Sequence, residues 1–107
     1  MLEKLTKETF APHLGSQFRF QIDASTWVTT ELVEVTGRGS HAAQATLAVP
    51  SEPQREPFSI VFRGPHTPPL QQKMYRVEHK TIGVIDDLFI VPVGITQAGL
   101  FYEAVFN

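Results

Sequence analysis

Phe58-Ser-Ile-Val-Phe-Arg63 sets Phe58, Ile60 and Phe62 on one side of an extended chain and Ser59, Val61 and Arg63 on the other. A repeat of two is that of a β-strand with one dry face and one wet face. Gly64-Pro-His-Thr-Pro-Pro69 follows at once and ends the strand. The same period appears upstream, where Phe18, Phe20 and Ile22 alternate with Gln17, Arg19 and Gln21. Asp23-Ala-Ser-Thr26 reads as a turn, and a strand from Trp27 to about Thr36 follows, with Val28, Thr30 and Leu32 on one face. Adjacent Leu32 and Val33, then Val35, break its phase, as a β-bulge does. Downstream, Tyr75, Val77 and His79 point one way and Met74, Arg76, Glu78 and Lys80 the other. Leu88-Phe-Ile-Val-Pro-Val93 is apolar throughout, so both faces of that strand are expected to be covered. Pro92 disfavours a central place in a sheet or marks the strand's end. A last strand, Leu100 to Phe106, carries Leu100, Tyr102, Ala104 and Phe106 on one face.

Eight prolines and seven glycines punctuate these runs. Short turns between sequential strands favour antiparallel neighbours. The expected fold is all-β: a small antiparallel barrel, or a half-open roll, of six to seven strands with a short N-terminal helix. Thr6 can cap that helix, Phe10 and Leu14 share one face of it, Pro12 forbids its extension, and Gly15 suits the exit. The stretch from Gly37 to Pro57 reads as a long loop, with Ala45 to Val49 a candidate edge strand.

With 107 residues and 12.0 kDa the chain predicts a single domain, 1–107. Area scaling at this mass buries roughly two thirds of the unfolded surface, which is one modest core. A hydrophobic share of 42% and a charged share of 19% exclude a disordered chain. No apolar run reaches about 18 residues, so no membrane span is expected. A formal net charge of −2 without a basic cluster leaves no footprint for nucleic acid. The chain has no cysteine, and Met1-Leu-Glu-Lys-Leu5 lacks a basic segment followed by an apolar one, so the expected location is cytoplasmic.

Catalytic motifs are missing: no cysteine nucleophile, no G-x-S-x-G, no P-loop, and a lone Gly37-Arg-Gly39 that reads as a loop. His13, His41, His66 and His79 have no ligand spacing. His79, on a dry face, reads as a core or rim histidine with one hydrogen bond rather than a metal ligand. Asp86-Asp87 is the acidic pair; adjacent strand residues point apart, so the two share a site only within a turn, which Gly83 makes plausible. The expectation is no enzyme, no catalytic residues, no cofactor and no metal.

The stretch Pro57-Phe-Ser-Ile-Val-Phe-Arg-Gly-Pro65, with Phe10-Ala-Pro-His-Leu-Gly15, His79, Gly83, Leu88-Phe-Ile-Val-Pro-Val93 and Tyr102-Glu-Ala-Val-Phe-Asn107, resembles a family of small bacterial proteins classed as a domain of unknown function. The resemblance covers nearly the whole chain. It implies a stand-alone bacterial domain with no assigned activity or cofactor, and a setting near phage-tail-like assemblies. The family carries glycine where this chain has Lys73, which puts a bulge there in doubt.

The functional expectation is a non-enzymatic structural or protein-interaction module; a small-ligand-binding β-barrel is the alternative. The candidate interaction residues are Pro65, His66, Pro68, Pro69, Leu70 and Ile90, because binding tends to sit on loops held by a rigid β scaffold. The expected partner is another protein or a second copy of the chain, with a homodimer formed through the Leu88 to Val93 strand and the neighbouring Pro65 to Leu70 loop.

Overall fold

The computed structural model describes residues 5–37 and 57–106. The candidate edge strand at 45–49 and His41 lie outside the described residues. The elements are a short helix α1 (Lys7–Phe10), a 3-10 turn (Ala11–His13) and strands β1 (Gln17–Asp23), β2 (Thr26–Gly37), β3 (Phe58–Gly64), β4 (Met74–His79), β5 (Gly83–Phe89), β6 (Val91–Thr96) and β7 (Gly99–Phe106). The seven strands form one antiparallel sheet in the order β5-β4-β1-β2-β3-β7-β6. It rolls into a half-barrel, as the alternating pattern predicts.

The inner face is the set of period-two positions. Phe18 and Phe20 of β1, Val28, Thr30 and Leu32 of β2, Phe58, Ile60 and Phe62 of β3, Val77 of β4, and Tyr102, Ala104 and Phe106 of β7 are all buried. Aromatic rings fill the interior edge to face: Phe62 lies 5.2 Å from Phe18 and 5.1 Å from Phe20. The expected bulge is present, since the β2–β3 register shifts between Leu32 and Glu34.

Three details depart from the sequence reading. First, the helix has only four residues before Pro12 tightens the chain into the 3-10 turn. Phe10 is buried among Phe18, Phe58 and Phe106, but Leu14 is 51% exposed, so the two do not share a packed face. Second, Leu88–Val93 is not one strand covered on both sides. Leu88 ends in the core and Phe89 faces out; Ile90 is fully buried between β5 and β6, and Val93 is 52% exposed. β5 and β6 run in the same direction at opposite edges of the sheet, separated by one residue. They act as one extended segment that bends at Ile90, pairs with β4 before the bend and with β7 after it, and draws the two edges together. The Ile90 amide donates to the Lys73 carbonyl at 3.2 Å and pins the bend. Pro92 is tolerated because β6 is an edge strand. Third, Asp86-Asp87 lies in a bulge, not a turn. The β4–β5 register shifts there, Asp87 takes φ 61°, and both carboxylates face solvent. Lys73 lies in a bend ahead of β4.

Candidate functional site

Two surfaces gather chemistry. The first surrounds His79, the last residue of β4. Its alternation turns it inward, and it is 6% exposed. Nδ1 accepts the backbone N–H groups of Thr81 and Ile82, each at 3.1 Å, so the ring caps the β4–β5 turn. Nδ1 is therefore unprotonated and Nε2 carries the hydrogen. Nε2 lies 2.9 Å from Ser16 Oγ, whose own proton goes to the His13 carbonyl at 2.7 Å. Read from either end, the chain of donors has one direction: His79 to Ser16 to His13. The ring packs against Phe18, with centroids 4.4 Å apart, and meets the His13 ring at 4.5 Å, edge on. Burial first, then the His13 and Lys80 charges, hold the His79 pKa below its ordinary value.

This geometry bears on catalysis. A serine nucleophile needs a neighbouring base with a free lone pair aimed at its hydroxyl. Here Nε2 offers Ser16 a hydrogen, and the ring's lone pair is taken by two amides. The pair is built as a structural clasp. Beside it opens a cleft of about 500 Å³ whose walls include Gln17, Arg19, Glu78 and Lys80. Arg19 and Glu78 are committed to each other at 2.7 Å, and the Arg19 guanidinium also sits 4.8 Å above the Trp27 ring. Among the described residues, no three His, Asp or Glu side chains gather as a metal site.

The second surface is the segment from Pro65 to Lys73 together with the β6–β7 hairpin. Besides the Ile90–Lys73 bond, three hydrogen bonds hold the segment. His66 Nε2 donates to the Thr96 carbonyl at 2.6 Å. The Leu70 amide donates to the buried Tyr102 hydroxyl at 2.8 Å, and the Gln71 amide to the Tyr75 hydroxyl at 2.7 Å. Pro65, Pro68 and Pro69 restrict the rest, and the Thr67–Pro68 peptide is cis. Of the six residues expected to form an interaction surface, Pro65, His66, Pro68 and Pro69 are exposed side by side in this segment. Leu70 and Ile90 are not part of it: at 4% and 0% exposure they are core side chains, because their segments turn them inward.

What the sequence reading missed lies next to the loop. Val93 is 52% and Ile95 70% exposed, both on β6. The bond from His66 to Thr96 places Ile95 beside the proline segment. A shallow groove of about 390 Å³ continues from Pro65 and Ala98 to Gly15 and Gln17, over the Glu31–Arg63 ion pair. The signal in the sequence was Pro92 followed by a phase change, Val93-Gly-Ile95, which marks a bulged edge rather than a covered strand.

The two sheet edges differ in how they face solvent. The β5 edge is guarded by the Asp86-Asp87 bulge, with Arg76 Nε 3.7 Å from Asp86. Charges and bulges of this kind oppose strand addition. The β6 edge, Val91-Pro-Val-Gly-Ile-Thr96, has a bulge and a proline but no charge.

Comparison with known proteins adds the family. The chain belongs to DUF6916, a domain of unknown function, whose match spans residues 5–106. No curated protein and no solved structure matches this DUF6916 chain.

Proposed function

We propose that this DUF6916 domain is a non-enzymatic interaction module that docks a protein partner, or a second copy of itself, on the Pro65–Pro69 segment and the adjoining β6 edge. One observation carries the reading: Ile95, 70% exposed on an uncharged edge strand, stands beside a loop tied down at three points. A rigid loop and edge lose little conformational freedom on binding. In this reading the setting is the bacterial cytoplasm, within a multi-protein assembly, and the absence of cysteine suits that setting. The ligand-binding alternative has less support, because Phe18, Phe20, Phe62 and Tyr75 fill the barrel interior with each other. No helix among the described residues is long and apolar enough to cross a membrane.

The test compares wild type with Ile95→Lys. Light scattering at high concentration reads self-association, and pull-down from the native host with an endogenous tag reads other partners. A dimer turned monomeric by Ile95→Lys, or a specific partner lost on Ile95→Lys and kept on Arg76→Ala, supports the proposal. Unchanged melting of Ile95→Lys shows that the fold is intact. A monomeric wild type without any partner sensitive to position 95 overturns it.

A further inference from the structure

We propose that His79 is a proton-operated latch, which in its neutral form fastens the β4–β5 turn to the end of the barrel and on protonation releases that turn while keeping its bond to Ser16. The argument starts from valence. A neutral imidazole has one donor and one acceptor, and both are used: Nε2–H toward Ser16 Oγ, and Nδ1 toward the Thr81 and Ile82 amides. The second proton has one place to go, Nδ1. There it meets two N–H groups already aimed at the same point. Proton uptake turns an acceptor into a donor, so both turn amides lose their partner in one step.

Among the described residues, the elements packed against the ring bring the cation no unpaired carboxylate. His13 faces the ring from the 3-10 turn and Lys80 stands in the β4–β5 turn, and both oppose a positive charge. Glu78 of β4 and Arg19 of β1 lie on the opposite face of the sheet and are paired with each other. From β2, Glu31 is taken by Arg63. Strand β5 brings Gly83 and Val84 to this end, neither of them charged. Phe18 covers the face of the ring.

Ser16 is the fixed side of the latch, because Nε2–H donates to it in both protonation states. Its hydroxyl joins His79 to the 3-10 turn, and its backbone, with that of Gly15, is bonded to Leu32 of β2 at 3.1 and 2.7 Å. Gln17, the next residue, lines both clefts. Release of the turn therefore changes the Lys80 and Gly83 wall of the His79 cleft, while the Gln17 wall stays in place. The inference does not rest on the docking proposal and stands or falls separately from it.

The sign follows from linkage. A histidine whose native pKa is depressed binds its proton more weakly folded than unfolded, so stability is complete above the unfolded value of about 6.5 and falls as pH drops toward the native value. One proton changes the folded-to-unfolded ratio by up to about tenfold per pH unit in that window. His79→Asn is the informative variant, because the Asn carbonyl can accept the turn amides from nearly the position of Nδ1 and does not titrate. Chemical denaturation of wild type and His79→Asn between pH 8 and pH 5 reads the slope, and hydrogen exchange at Thr81 and Ile82 reads the turn. The expected result is a wild-type loss of stability below about pH 6.5, with faster exchange at both amides than the pH change alone gives, and neither effect in His79→Asn. Equal pH profiles for the two proteins overturn the latch. Should His79→Asn fail to fold, ring nitrogen NMR on wild type decides. An Nε2–H tautomer at pH 8 that protonates below 6.5 supports the proposal, and an Nδ1–H tautomer or a higher pKa refutes it.

Discussion

Replacing Phe106 by alanine tests whether the end of the chain belongs to the core. Phe106 is 5% exposed, stacks on Phe58 with centroids 4.5 Å apart and planes 3° from parallel, and meets Phe10 at 5.6 Å. It also pairs with Phe58 in the β3–β7 register. Removing a buried phenylalanine loses its transfer free energy and leaves a cavity, together about 3–5 kcal/mol. Phe10 cannot collapse into the gap without leaving Phe18, so the upper half of that range applies. For a domain of this length each kcal/mol moves the melting temperature by about 4 °C, giving a drop of about 15–20 °C. Set against a typical total stability of ~5–15 kcal/mol, the variant stands close to unfolding. The neighbour supplies the control. Val105 is 43% exposed on the outer face, so Val105→Ala is expected to change stability by less than about 0.5 kcal/mol. Thermal melting by circular dichroism, with urea titration alongside, measures both. A Phe106→Ala protein melting within a few degrees of wild type, or a Val105→Ala protein equally damaged, would refute the inward placement of β7.

Tyr102→Phe removes the acceptor of the buried Leu70 amide and is expected to cost about 1–3 kcal/mol, with faster proteolysis between Pro65 and Lys73; undiminished protection there would sink the anchoring role. Gly99→Ala is expected to prevent stable folding, since Gly99 has φ 147° and an added Cβ would lie 2.3 Å from the Gly64 carbonyl oxygen; a well-folded variant in a melting experiment would contradict the β6–β7 turn. Asp87→Val should destabilise by about 1–2 kcal/mol, because a β-branched residue resists positive φ, while Asp87→Gly should melt near wild type. Asp23 accepts the Ser25 amide at 3.0 Å, which lowers its pKa. Its small contribution is present above the ordinary value of 3.8 and disappears as pH falls through the lowered one, so acid melting of Asp23→Ala should lack that component.

Legibility in the sequence followed the range of the interaction. Phe18, Phe20, Phe58, Ile60, Phe62, Tyr75, Val77, His79, Tyr102, Ala104 and Phe106 are buried as read, because period two is a local property of the extended chain. The Leu32 bulge was legible for the same reason: two apolar neighbours cannot share a face without a slip. Features set by distant partners were not. The Ser16–His79 bond spans 63 residues, and the Leu70 amide finds Tyr102 across 32. Tyrosine at a core position reports its ring, while its hydroxyl's task depends on which loop passes overhead. Leu14 failed because four helical residues are too few for an i, i+4 face to form.

The bend at Ile90 links these failures to function. An unbroken apolar run has two physical sources, a strand covered on both faces or a strand whose faces exchange roles. Leu88, Phe89, Ile90 and Val93 follow the second: in, out, in, and then out on the other edge. A half-barrel with one through-going edge segment must leave part of that segment unpaired, since β5 and β6 each have a neighbour on one side only. The chain guards the first half with Asp86-Asp87 and leaves the second half uncharged, with Ile95 at its surface. An unguarded edge is a hazard unless something occupies it. On the docking proposal, Pro92 and the Val93 bulge narrow what can do so, removing one donor and breaking the ladder, so an occupant would add along Gly94 and Ile95 and against the proline segment beside them. On that proposal the restriction favours a partner shaped to loop and edge together over indiscriminate sheet growth.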